Sequence, residues 1–292
     1  IREQYLEFAK PLDLIDPVFL PMSALLGDNV VEKGDNLAWF DGPTMMAHLE
    51  TVDVEAGIDL ETFRLPVQMV TRPDLDFRGF AGTIASGVVR PGDKLISLPS
   101  GVSSTVDRIV TMDGDLAIAG PGRAITLTLT DEIDVSRGNV LVSEGQEPLR
   151  AHDVDAMVVW MTDEAAIAGR QYLLQHANGV SNATVTTIHH RVDINTLEQQ
   201  SAEELALNDI AWVQVSTDRE LLFDRYADNR QTGAFILVDR LTNATVGAGM
   251  ITGAGSSWDR APEDSLQRQV SMVSSAERAV RFGQQPATVL LT

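Results

Sequence analysis

The sequence predicts a mainly β protein, two consecutive all-β blocks behind a short α/β segment. Three observations carry this. Phe63, Leu65, Val67 and Met69 alternate with Arg64, Pro66 and Gln68, the period of a half-buried strand. Short apolar runs of this kind recur between Gly/Pro turns as far as about residue 252, the pattern of a closed barrel or a sandwich. Residues 1–51 instead mix helical and strand patterns.

In chain order, a helix runs to about Ala9 and stops at Pro11, which has no backbone N–H to donate. Val18–Met22 reads as a short apolar strand, followed by a polar loop with Gly27, Asp28, Asn29, Gly34 and Asp35. Gly42-Pro43-Thr44 opens a second helix with Met45, Met46 and Leu49 on its apolar face, because proline is tolerated in the first turn. In the first β block, Phe80–Val89 reads as a strand closed by Arg90-Pro91-Gly92-Asp93. Lys94–Leu98 pairs with Ser104–Val110 across Pro99-Ser100-Gly101. Ile125, Leu127 and Leu129 face in, and Thr126, Thr128 and Thr130 face out.

The second block opens with Asp155 and Ala156–Trp160. It continues through Arg170–Gln175, a turn at Asn178-Gly179 and a long strand Ala183–Asp193. Ser201 with Glu204 has the spacing of a capping box, so Ser201–Leu205 is expected to be helical. Ile210–Ser216, Phe235–Asp239 and Thr245–Ile251 complete the block. The charged run Asp218–Glu220, with Asp224 and Arg225, is expected in a loop. Residues 252 to about 274 read as a linker, Ser275–Phe282 as a helix and Ala287–Thr292 as a strand. The start at Ile1 inside a helical pattern and the stop on an apolar strand read as an internal fragment of a longer protein.

Composition narrows the function. The chain has 292 residues, 42 acidic against 22 basic, for a net charge of −20. A surface this acidic repels phosphate backbones, and no Lys/Arg cluster offsets it, so nucleic acid is not an expected partner. No apolar run approaches the roughly eighteen residues of a membrane span, so no membrane partner is expected. There is no Cys, which excludes disulfides and thiolate metal sites and makes the cytoplasm the expected location. His189 and His190, as strand neighbours, should point to opposite faces and share no metal. Asp153, Asp155, Glu203 and Glu204 read as solvated charges, Trp160 and Trp212 as core. No catalytic residue and no metal ligand is assigned.

Pro21-Met22-Ser23-Ala24-Leu25 resembles the last nucleotide motif of translation-factor-type GTPases. Leu26-Gly27-Asp28-Asn29-Val30 and Trp39–Thr44 extend the likeness to the large, GTP-binding subunit of bacterial sulfate adenylyltransferase. Arg78–Gly87 with Pro91-Gly92-Asp93 resembles the first β-barrel behind the GTPase domain in elongation factors and their relatives. Phe63–Val70, Asp76–Gly79, Arg191–Glu198 and Leu207–Ile210 look like the sulfate-activating branch. Glu277–Thr292 looks like the junction into an adenylylsulfate kinase domain.

The resemblance implies two consecutive translation-factor-type β-barrels preceded by the C-terminal piece of an α/β P-loop GTPase domain. The corresponding domains are 1–55, the end of the GTPase domain; 56–148 and 149–252, the two barrels; and 253–292, a linker and the start of a kinase domain. It further implies a guanine-contact loop at Ser23, Ala24 and Leu25, with GTP and Mg²⁺ as cofactors whose ligands lie mostly outside these residues. The implied partner is the small catalytic subunit, and the implied role is coupling GTP hydrolysis to adenylylsulfate formation from ATP and sulfate. A phosphate loop and an Asn-Lys-x-Asp element are absent from the sequence, so the chain alone is expected to be inactive. A translation elongation factor and a non-enzymatic β-barrel binding module are the alternatives.

Overall fold

The computed structural model describes residues 1–12, 14, 17–53, 59–74, 77–177 and 179–255. The expected helix and terminal strand beyond 255, most of the expected linker, and Asn178 of the expected turn lie outside the described residues. The chain divides into two compact units, Ile1–Ile58 and Asp59–Thr292.

In the first unit, α1 (Arg2–Ala9) runs into a 3₁₀ turn, Lys10–Leu12, at the proline that ends it. Helix α2 (Met45–Thr51) is capped by Thr44, whose Oγ1 accepts from the Ala47 amide at 3.2 Å. Val18–Met22 is not a strand. Extended residues become a strand only by pairing, and among the described residues this segment joins no ladder.

The second unit holds two β structures, each around its own core. The first comprises β1 (Arg64–Pro66), β2 (Met69–Thr71), β3 (Gly79–Thr83), β4 (Lys94–Leu98), β5 (Val102–Thr111), β6 (Gly114–Leu116), β7 (Ala124–Leu129) and β8 (Val140–Ser143). Their order is β1-β8-β4-β5-β7-β3-β2, with β6 on β5. Phe63, Leu65, Phe80, Ile109, Leu127 and Leu141 fill the interior. The sheet rolls until β3 lies against β1, and a Cβ at Gly82 would stand 2.4 Å from the Pro66 carbonyl oxygen. Only glycine permits that approach. The expected hairpin forms as β4 and β5, with Lys94 opposite Thr105.

The second comprises β9 (Leu149–Trp160), β10 (Ala166–Ile167), β11 (Gln171–His176), β12 (Gly179–Val192), β13 (Gln199–Gln200), β14 (Glu204–Leu205), β15 (Ile210–Phe223), β16 (Ala234–Val238) and β17 (Thr245–Ala254). The circuit β11-β16-β17-β9-β15-β12 closes when β12 pairs back to β11, giving a six-stranded barrel. Closure removes free strand edges. Trp160 is in the core, its Nε1–H donating to the Glu164 carbonyl at 2.7 Å and its ring edge-on to Tyr172.

Phe80–Val89 is not one strand: β3 ends at Thr83, and Val89 makes only an isolated bridge to Ala119. Ser201–Leu205 is not a helix. Glu204 and Leu205 pair with Ala166 and Ile167, and Leu205 is buried in the barrel core. So short a helix has little beyond its cap to offset nucleation, and the tertiary contact wins. Asp218–Glu220 is not a loop but part of β15, in a wide bulge that sets Ser216 opposite Asp153 and Leu221 opposite Ala151. Thr128, on the face opposite Leu127, is not exposed: it is buried and donates to the Asp107 carboxylate at 3.1 Å.

His189 and His190 do not separate to opposite faces. A bulge between Ile188 and His190 resets the pleat, and both imidazoles approach Trp212, at 4.3 and 5.5 Å between ring centroids. Trp212 is therefore half-buried on the barrel exterior, outside the core. Asp155 is only 19% exposed, with an oxygen 3.6 Å from His189 Nε2, and is not a freely solvated charge.

The two barrels are joined by an apolar contact and a polar one. Leu98, Val140, Val142 and Ile96 of the first barrel pack with Leu222 of the second. Beside them Arg64, 3% exposed, grips Asp224 with two bonds of 3.0 Å, from Nε and Nη2. Asp224 also accepts from the Thr232 hydroxyl at 2.7 Å, and Asn229 Nδ2 donates to Ser86 Oγ at 2.9 Å. The strand pattern placed Arg64 on the outer face. Outer here means toward the second barrel.

Candidate functional site

The candidate nucleotide loop is a turn in the first unit. Ser23 closes it from three atoms. Its amide donates to the Asp28 carbonyl at 3.0 Å, its carbonyl accepts from the Gly27 amide at 2.8 Å, and its Oγ accepts from the Leu26 amide at 3.3 Å. Ala24 and Leu25 therefore occupy the apex, both exposed, Leu25 at 94%. Neither of their amides donates a hydrogen bond among the described residues. A small side chain beside uncommitted N–H donors is an arrangement that lets a planar acceptor approach the backbone.

Two residues of the polar loop, Asn29 and Asp28, hold this turn. Asn29 is 1% exposed with φ of +57°, a conformation that asparagine tolerates better than most side chains. Its Nδ2 donates to the Pro21 carbonyl at 2.8 Å, and its own carbonyl accepts from the Met45 amide at 3.1 Å. One buried residue, through its side chain at Pro21 and its main-chain carbonyl at Met45, thus ties the entry of the loop to the start of α2. Asp28, also buried, accepts from Asn36 Nδ2 at 2.8 Å and lies against Gly34, where a Cβ would fall 1.6 Å from its Oδ1. In the sequence these residues read only as a polar loop. The signal available was the Asx-plus-glycine spacing of Asp28, Asn29 and Gly34, which marks specified turns.

Among the described residues no group of three or more His, Cys, Asp and Glu is placed to hold a metal, and no helix is long and apolar enough to cross a membrane.

Comparison with known proteins defines the class first. Residues 153–252 match the family model described as GTP-eEF1A C-terminal domain-like. A solved structure of Sup35 complexed with GDP superposes with a TM-score of 0.63, at 19% identity, over 81% of this chain and 58% of that one. A second, of Sup35 complexed with GMPPNP, gives 0.62 at 18%. The fold is the barrel pair of translation-factor-type GTPases.

Closer relatives specify the branch. The chain is 48% identical to the bifunctional enzyme CysN/CysC of Rhodopirellula baltica, over all of this chain and 46% of that protein. It is 51% identical to sulfate adenylyltransferase subunit 1 of Laribacter hongkongensis, over 87% of this chain and 53% of that protein. The Aeromonas salmonicida subunit 1 gives 52% over 86% and 53%. Over most of its length the chain is similar to sulfate adenylyltransferase subunit 1 proteins and, equally, to a bifunctional CysN/CysC enzyme. It spans about half the length of the curated relatives it matches.

Proposed function

We propose that this chain is the barrel-bearing part of a GTP-hydrolysing sulfate adenylyltransferase subunit that works with a small catalytic subunit in sulfate assimilation. The observation that carries the reading is identity of 48–52% to named sulfate-activating proteins across 86–100% of the chain. On this reading residues 1–55 close the GTPase domain, and 56–148 and 149–252 are the two barrels behind it. Adenylyl transfer occurs on the small subunit: a sulfate oxygen attacks the α-phosphorus of ATP, and pyrophosphate leaves. The barrels carry the nucleotide state of the GTPase domain to that subunit by rigid-body movement. The protein works in the cytoplasm. The alternative of a translation factor would call for a basic RNA-facing surface, and a net charge of −20 speaks against one.

In this chain the Ser23–Leu25 turn contacts guanine. The Ala24 or Leu25 amide donates to the guanine carbonyl oxygen, where adenine would present a donor. Phosphate and Mg²⁺ contacts come from parts of the parent protein beyond these residues. One neutral hydrogen bond is worth roughly 0.5–1.5 kcal/mol net, about tenfold or less in affinity. The isolated chain therefore binds no fluorescent guanine nucleotide measurably. In the full-length parent, Ala24→Leu crowds the base, and GTP affinity falls about tenfold while far-UV circular dichroism is unchanged. Unaltered GTP affinity in that variant would remove the turn from the nucleotide site.

A further inference from the structure

A groove of about 610 Å³ opens where the two barrels meet, within the range of small-molecule sites. From the first barrel come Pro99, Arg137 and Val140; from the second, His176, Arg219 and Leu222, with Glu220 as the single acidic residue on its wall. The floor is apolar, since Val140 and Leu222 belong to the cluster that joins the barrels.

Its charge runs against that of the molecule. In a chain with 42 acids against 22 bases, two exposed guanidinium groups face this groove. Neither hydrogen-bonds a carboxylate among the described residues. The carboxylate beside Arg219 is already engaged, as Asp218 accepts from the Asn182 amide at 2.9 Å and from its Nδ2 at 2.7 Å. Arg219 and Glu220 are carried outward by the wide bulge of β15, so the strand irregularity and the groove wall are one feature.

The buried imidazole adds a second polarity. His176 Nε2 lies 2.7 Å from the Thr232 carbonyl, which can only accept, so that nitrogen carries the hydrogen. Burial pushes the pKa of His176 down, and in the neutral ring Nδ1 is an acceptor. His176 lies on the groove wall.

We propose that this inter-barrel groove is a binding site for a small organic anion, with an oxyanion held by Arg137 and Arg219, an N–H or O–H donor toward His176, and an apolar body over Val140 and Leu222. Arginine suits the role because its planar fork meets carboxylate or phosphate oxygens two at a time. The site is distinct from the Ser23–Leu25 turn and does not depend on the sulfate-activating reading.

The test is calorimetric titration of the intact 292-residue chain with adenosine 5′-monophosphate, citrate and inorganic phosphate, alongside an Asp/Glu-rich peptide. At least one of the two organic anions binds with a Kd on the order of 1 mM or tighter, and inorganic phosphate binds more weakly. Arg137→Ala and Arg219→Ala each weaken that binding about tenfold, Arg137→Lys recovers only part of it, and Arg240→Ala leaves it unchanged. Any of three outcomes overturns the proposal. Neither organic anion binds, the double arginine variant binds as the parent does, or phosphate alone binds as tightly as either. Binding of the acidic peptide alone would assign the groove to a protein partner and reject the small-molecule site.

Discussion

Arg64, on the face of β1 opposite Leu65, makes the buried ion pair to Asp224 that fastens the two barrels. Alternation placed it opposite Phe63 and Leu65, and so it lies, but the face it occupies is covered by the second barrel. Strand period reports which side a residue is on and not what covers that side. Removing one partner of a buried pair strands the other, so Arg64→Ala costs about 3–5 kcal/mol of stability in urea denaturation. A cost below about 1 kcal/mol would mean the pair is hydrated and incidental. Asp239 offers a titratable counterpart. Its carboxyl is pushed down to about 2, first by the Thr242 and Leu241 amides, then by the Thr242 hydroxyl and Arg170. A depressed carboxyl stabilises the fold fully above its unfolded value near 4, and that contribution drains away as pH falls through about 2. Asp239→Asn therefore lowers Tm at pH 7, and the gap to the parent narrows at pH 2.5.

At the scale of elements, strands were legible wherever one face is buried and the other solvated. β4, β5, β7, β11 and β16 fall close to where alternation and Gly/Pro turns put them. The misses share a cause. Val18–Met22 joins no ladder among the described residues, Ser201–Leu205 yields a local helix signal to a two-residue ladder, and Asp218–Glu220 sits in a bulge; none of these is encoded locally. Glycine separates local from tertiary demands. Gly92 and Gly87 both have positive φ, +93° and +70°. A Cβ at Gly92 meets nothing within 4 Å, whereas one at Gly87 would lie 2.4 Å from the Phe63 backbone. Gly92→Ala should cost about 1–2 kcal/mol, the backbone term alone. Gly87→Ala should cost clearly more, because its neighbour is main chain and cannot swing away. Chemical denaturation of the pair checks this, and equal costs would contradict the packing at β1.

At the scale of the molecule, the candidate nucleotide turn was legible as a motif and illegible as a structure. Ser23, Ala24 and Leu25 stand out by residue type, while the buried Asp28 and Asn29 that shape the turn resemble solvent-facing loop residues. The junction between barrels was invisible for a related reason: Arg64 and Ser86 are far in sequence from Asp224, Asn229 and Thr232, and only the fold gathers them. That junction gives the proposed function its mechanical content, since barrels fastened by a buried ion pair and an apolar seam can move as one body. The most direct measurement of the proposed function is adenylylsulfate formation from ATP and sulfate by the full-length protein mixed with the proposed small catalytic subunit, with and without GTP. The account predicts that GTP raises product formation and that a non-hydrolysable GTP analogue does not sustain the gain. Formation indifferent to guanine nucleotide would contradict it.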